Sequence, residues 1–241
     1  EFEEVRYYSA GDDVRAIDWR VTARTGEPHT KLYREERERP VIIAVDQGSQ
    51  MFFGSRRQFK SVLAAEAAAL LAWQAHGQSD RVGGVVFAGA KRSEHRPARS
   101  RRSLLRLLHD VEVYNHRLPE ANEAEVHGSE SLLTLLRRTS RPGSRIFLIS
   151  DLSRSINPAR DESALRELGR HCELIVIDCY DALEMELPAA GLLPLTDGRR
   201  RLSVDSGDAS VRAKWQLSAA AGRHALKQCL QRAQAHYVDA P

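Results

Sequence analysis

A chain of 241 residues has room for one full-sized domain or two small ones, because single hydrophobic cores stop growing near roughly 250–300 residues. Its 42% hydrophobic and 29% charged residues, with only 15 Gly and 9 Pro, exclude the disordered, collagen-like and low-complexity classes, and no apolar run approaches the roughly 18 residues that cross a bilayer. Lys+Arg 36 against Asp+Glu 33 leaves a net charge of +3, too small to gather nucleic acid or anionic lipid around a body this size.

Residues 1–40 are polar and rich in turn formers (Ala10-Gly11-Asp12-Asp13 and Gly26-Glu27-Pro28), with Val14, Ile17 and Trp19 as candidate apolar anchors. They are expected to form an irregular lead-in packed on a sheet edge. The charge-dense stretch Tyr33 to Arg39, closed by Pro40, reads as a solvated edge segment. Four runs follow that are rich in β-branched residues and do not alternate with polar ones: Val41–Val45, Val82–Phe87, Ile146–Ile149 and Leu174–Ile177. That is the pattern of parallel strands covered on both faces. Phe59, Val62, Leu63, Ala67, Leu70, Leu71 and Gln74 recur at helical spacing between the first two runs and predict a crossover helix ending at His76-Gly77. Helical patterns recur at Ser103–His109, Ser129–Arg138 and Asp161–His171. A polar turn is expected at Leu202–Asp205, then a long helix within Ser210–Ala235.

Alternating strands and helices predict an α/β fold: a doubly wound, mainly parallel sheet flanked by helices, with the lead-in at 1–40 and the sheet domain at 41–241. Ligands of such sheets sit beyond the carboxyl ends of the strands, where the strand order reverses. Asp46, Asp151 and Asp178 each follow a predicted strand directly. Two explanations fit them: a shared site for a hard cation with oxygen ligands, or three caps accepting backbone N–H bonds from the next loop or helix.

The signature Gly11-Asp12-Asp13-Val14-Arg15-Ala16-Ile17-Asp18-Trp19, together with Lys31, Glu35, Asp46, Met51–Gly54, Ile149–Asp151, Asp178 and Leu187-Pro188, resembles a bacterial family known as domain of unknown function fifty-eight. The resemblance implies a von Willebrand factor A-like domain. It also implies genes lying beside those of MoxR-type AAA+ ATPases, and a possible metal-ion-dependent adhesion site that grips a partner's carboxylate. In that superfamily the first strand is followed by Asp-x-Ser-x-Ser, with a Thr and a second Asp from later loops. Here the loop reads Asp46-Gln47-Gly48-Ser49-Gln50, so both motif hydroxyls are missing, and Ser49 is one residue out of register. Ser129 stands in for the Thr and Asp151 matches the later Asp, which leaves a degenerate site at Asp46 and Asp151 able to hold Mg²⁺ only weakly.

The resemblance implies a non-catalytic interaction module, an adaptor for a MoxR-type AAA+ ATPase and a client protein in maturation or complex assembly. Binding is expected around Asp46, Ser49, Gln50, Ser129 and Asp151. The signature residues Gly11, Asp12, Asp13, Arg15, Asp18 and Trp19 are expected to form a capped, ion-paired turn. A metal-dependent phosphoesterase or nuclease using Asp46, Asp151 and Asp178 is the competing expectation.

Lys91 to Arg106 carries seven basic residues against Glu94 alone, and Arg199–Arg201 adds another run. Without interleaved aromatics the first segment reads as a solvated helix start, and no nucleic-acid partner is expected. No phosphate-cradling Gly-x-x-x-x-Gly-Lys-Ser/Thr loop and no Gly-x-Ser-x-Gly elbow occurs. Three cysteines without C-x-x-C spacing suit a reducing compartment, so the expected location is the cytoplasm. A first residue of Glu1 and no signal pattern suggest a segment of a longer protein.

Overall fold

A computed structural model describes residues 2–33, 39–89, 91–116, 132–196 and 201–241. The chain divides into two compact units, Glu1–Glu38 and Arg39–Pro241.

The first unit is more regular than expected. Strand β1 (Phe2–Tyr7) pairs antiparallel with β2 (His29–Tyr33), and a 3-10 turn at Val14–Ala16 and helix α1 (Trp19–Thr25) lie between them. The signature carboxylates organise this connection. Asp13 accepts from Arg15 N–H, and Asp18 caps α1 by accepting from the N–H groups of Arg20 and Val21. Asp12 accepts from Ser9 N–H at 2.9 Å and from Arg6 Nη2 at 2.7 Å. Val14 and Trp19 stand exposed, contrary to their expected role as anchors: Trp19 opens α1 immediately after the Asp18 cap.

The second unit is built on strands β3 (Pro40–Asp46), β4 (Arg81–Ala88), β5 (Lys91–Ala98), β6 (Arg145–Ser150), β7 (Glu173–Cys179) and β10 (His236–Ala240), in the spatial order β10-β7-β6-β3-β4-β5. All neighbours are parallel except β4 and β5. Numbered by sheet strand alone this is the doubly wound order 3-2-1-4-5-6, with its reversal between β3 and β6. The remaining elements are α2 (Lys60–Gly77), α3 (Arg101–His116), α4 (Leu132–Thr139), α5 (Leu152–Ser155), α6 (Pro158–His171), α7 (Ala182–Met185), the hairpin strands β8 (Leu192–Thr196) and β9 (Arg201–Asp205), and α8 (Ala209–Arg232).

Alternation along the strands divides the core into two layers. Ile42, Ala44, Ile146, Leu148, Leu174 and Val176 face the cluster that includes Leu165, Leu168, Leu226 and Leu230. Val41, Ile43, Val45 and Ile149 face the other, with Ala64, Ala68, Ala72, Leu104 and Leu107.

Three expectations need correction. Helix α2 buries Lys60, Ser61, Ala64, Ala68, Ala72 and Ala75, while Phe59 before it and Leu70 within it are exposed. Its small face lies on the sheet, because methyl groups let helix and strands approach closely. Lys91–Ala98 is the antiparallel edge strand β5 instead of a helix start, in which exposed Arg92, Glu94 and Arg96 alternate with the more buried Ser93 and His95. The expected polar turn at Leu202–Asp205 lies within β9, and β10 completes the sheet beyond the long C-terminal helix. Ser129, Glu35, Arg199 and Arg200 lie outside the described residues.

Candidate functional site

Pairing register brings the expected acidic residues to one rim. Ser150 of β6 is level with Asp178 of β7, and Val45 is level with Ile149, so Asp46 stands beside Ser150. Asp46, Asp151 and Asp178 are all almost fully buried, with exposures of 1%, 2% and 2%. The chain then surrounds each with its own donors.

Asp46 Oδ1 accepts from Gly48 N–H at 2.8 Å, and Oδ2 accepts from Ser150 Oγ at 2.6 Å and Gln50 Nε2 at 3.1 Å. Burial lifts its carboxyl to about 6 despite these hydrogen bonds. Gln50 thereby fills the loop in place of a motif hydroxyl. A Cβ at position 48 would lie 3.0 Å from both Asp46 Oδ1 and Gln50 Oε1, so a Ser there would have the Gln50 side chain give way by a few tenths of an ångström. Ser49 opens the 3-10 turn Ser49–Met51 and is exposed, outside this network. Gln47 ties the loop to both helices beside it, donating to Ser61 O at 3.0 Å and accepting from Asn115 Nδ2 at 3.0 Å.

Asp151 caps α5, accepting from Ser153 N–H at 3.1 Å and Ser153 Oγ at 2.6 Å. Its other oxygen accepts from Lys60 Nζ at 2.7 Å. Lys60 was not foreseen, and it changes the site's chemistry. Its side chain is 3% exposed, and its ammonium also donates to Glu184 Oε1 at 2.8 Å and Oε2 at 3.0 Å. Although burial works against the charge, Asp151 and Glu184 outweigh it and hold the Lys60 amine above its ordinary value. Phe53 closes the pocket with its ring centroid 5.9 Å from Nζ.

Glu184 is positioned by a capping box at the start of α7, where it accepts from Asp181 N–H at 2.9 Å. Asp181 in turn accepts from Ser55 N–H at 2.7 Å and Ser55 Oγ at 2.5 Å, fastening the loop that precedes α2.

Asp178 is diverted from the other two. It accepts from Leu152 N–H at 3.2 Å, Arg223 Nη2 at 2.5 Å and Tyr237 Oη at 2.6 Å, while the Arg223 guanidinium stacks 3.6 Å from the Tyr180 ring centroid. Burial first, and then the Asp178 carboxylate, push the Tyr237 hydroxyl well above the usual phenol range. Asp178 thus shares the rim with the other two through the Leu152 N–H beside Asp151, but its side-chain partners come from α8 and β10.

A Ser–His–Asp grouping also occurs, at Ser93, His95 and Asp110, on β5 and α3. Ser93 Oγ donates directly to Asp110 Oδ2, and the one nitrogen His95 Nε2 lies 2.8 Å from that same oxygen and 3.2 Å from Ser93 Oγ. A nucleophile relay needs acid and hydroxyl on opposite ring nitrogens, so this arrangement does not reproduce one. Among the described residues no three His, Cys, Asp or Glu side chains are grouped as a metal site, and no helix is long and apolar enough to cross a membrane.

A family model described as "Protein of unknown function DUF58" matches residues 4–225. Uncharacterised proteins of Mycobacterium bovis and Mycobacterium tuberculosis are 31% identical over 207 residues, covering 84% of this chain. The chain spans 63% of the length of those relatives. Among solved structures, the conserved hypothetical protein BatB from Bacteroides thetaiotaomicron is 16% identical with a TM-score of 0.47, covering 83% of this chain and 89% of that one. The SpRpn10 VWA domain is 12% identical with a TM-score of 0.42, covering 84% and 88%.

Proposed function

The chain belongs to this DUF58 family and has a von Willebrand factor A-like fold, and from that premise we propose that it is a non-catalytic protein–protein interaction module, an adaptor for a MoxR-type AAA+ ATPase acting on a client protein. The ATPase is suggested by the family resemblance alone. The observation supporting a binding role over catalysis is that every carboxylate oxygen of Asp46, Asp151 and Asp178 already accepts a hydrogen bond from the chain's own donors, so a substrate or an attacking water would have to displace one.

What the rim offers outward is a loop. Ser55, Arg56, Arg57, Gln58 and Phe59 are exposed, while Asp181 grips the loop at Ser55 and Phe53 O accepts from Lys60 N–H at 2.9 Å. A rigidly held, exposed and cationic loop beside an apolar ring suits an acidic partner surface.

The test is direct binding of a purified MoxR-type ATPase to the full chain by surface plasmon resonance. The Arg56→Glu/Arg57→Glu variant is expected to lose at least tenfold in affinity with its circular dichroism unchanged. Absence of binding by the wild type, or turnover of phosphodiester substrates by the chain alone, would remove this proposal.

A further inference from the structure

The fold implies a divalent cation at the rim, and the residues present do not fit one. A hard cation takes about six oxygen ligands and keeps waters only where protein oxygens leave room. Here the two motif hydroxyls are Gly48 and Gln50, and the Gln50 amide N–H points at Asp46 as a donor. Asp46 already receives three hydrogen bonds and Asp151 receives two besides that of Lys60. A metal bound to Asp151 would also meet an ammonium 2.7 Å from that carboxylate, and like charges so placed repel strongly in a buried site.

We infer that the ammonium of Lys60 is the resident cation of this rim, standing where the fold implies a metal and joining Asp151 at the end of β6 to Glu184 on α7. Three features carry it. Nζ has three protons and no acceptor, and it directs them to carboxylates of two different elements, as a bridging cation would. The side chain is buried at the first position of α2, the helix into which the degenerate motif's loop leads, so the charge comes from the element next to that motif in the chain. Lastly, Gly54 lets the loop fold back on itself, since a Cβ there would run into the Gln58 carbonyl, and this places Lys60 under the rim. The inference rests on these residues and not on the adaptor proposal.

Mn²⁺ titration of the 241-residue chain, followed by calorimetry and by the electron paramagnetic resonance signal of free Mn²⁺, tests it. Wild type is expected to show no saturable binding through the millimolar range. Lys60→Ala vacates a pocket lined by Asp151 and Glu184 and is expected to bind Mn²⁺ at least tenfold more tightly than wild type, with binding lost again in Lys60→Ala/Asp151→Asn. Saturable wild-type binding that Asp151→Asn abolishes overturns the inference, and that measurement stands whether or not the Lys60 variants fold. A folded Lys60→Ala as indifferent to Mn²⁺ as wild type overturns it too. Failure of the ATPase binding assay leaves the metal titration untouched, so the two proposals fail separately.

Discussion

Gly54 lies in the loop between the first strand's end and α2, where a methyl group would enter the Gln58 carbonyl and lie 3.0 Å from Phe59 Cα. Backbone cannot yield as a flexible side chain does, so Gly54→Ala is expected to cost about 1–3 kcal/mol, measured as a lower urea midpoint at unchanged m-value. Asp181 makes a second prediction at this scale. Burial alone would push its carboxyl up, but the hydrogen bonds from Ser55 Oγ and from the N–H groups of Ser55 and Leu183 outweigh burial and hold it below the usual carboxylate range. A folded-state value below that of the unfolded chain means that the ionised group contributes stability above about pH 4, and that this contribution fades as pH falls through the folded value. Asp181→Asn is therefore expected to lower stability by about 1 kcal/mol at pH 7 and by much less at pH 3. Parallel urea titrations at the two pH values decide it, and an equal deficit at both would show that the charge plays no part.

Two helical glycines show how packing reverses a propensity at the scale of elements. In open helix, Gly→Ala gains up to about 1 kcal/mol. Gly222 of α8 has nothing within 4 Å of an added Cβ, so Gly222→Ala is expected to raise the melting temperature. Gly169 of α6 faces the Ala233 carbonyl at the end of α8, and there a Cβ would collide with backbone, so Gly169→Ala is expected to lower it by several degrees. Differential scanning calorimetry of the two variants should give shifts of opposite sign.

Which elements could be read from the sequence follows the same logic. The buried strands β3, β4, β6 and β7 were legible because β-branched runs without alternation have few other uses. β5 was not, since its inward positions Ser93 and His95 meet Asp110 on α3 and so carry no apolar signal. Nor was the buried face of α2, because its small residues take the centre of the contact while Leu63, Ala67 and Leu71 pack only at its margin and Phe59 and Leu70 face out. Lys60 and Ser61 in phase with Ala64, Ala68 and Ala72 were the available clue to the buried ammonium. The place of Asp46 and Asp151 at the rim was legible from strand ends alone. The diversion of Asp178 was not, because Arg223 and Tyr237 lie 45 and 59 residues further along the chain.

At the scale of the whole molecule, the polar rim is tolerable only because a large apolar core lies beneath it. Buried ion pairs contribute little net stability, but removing one partner strands a desolvated charge and costs about 3–5 kcal/mol. Among the described residues, both hydrophobic clusters, one on each face of the six-stranded sheet, are built from side chains of the second unit. A unit with two covered faces, its own helices and a complete sheet meets the requirements for folding alone. Residues 39–241 produced without the first unit are therefore expected to unfold in one cooperative transition, with a midpoint within about 5 °C of the full chain. Thermal melts followed at once by far-ultraviolet and near-ultraviolet circular dichroism test this. Loss of near-ultraviolet signal ahead of the far-ultraviolet transition would mean that the second unit does not hold its tertiary packing by itself.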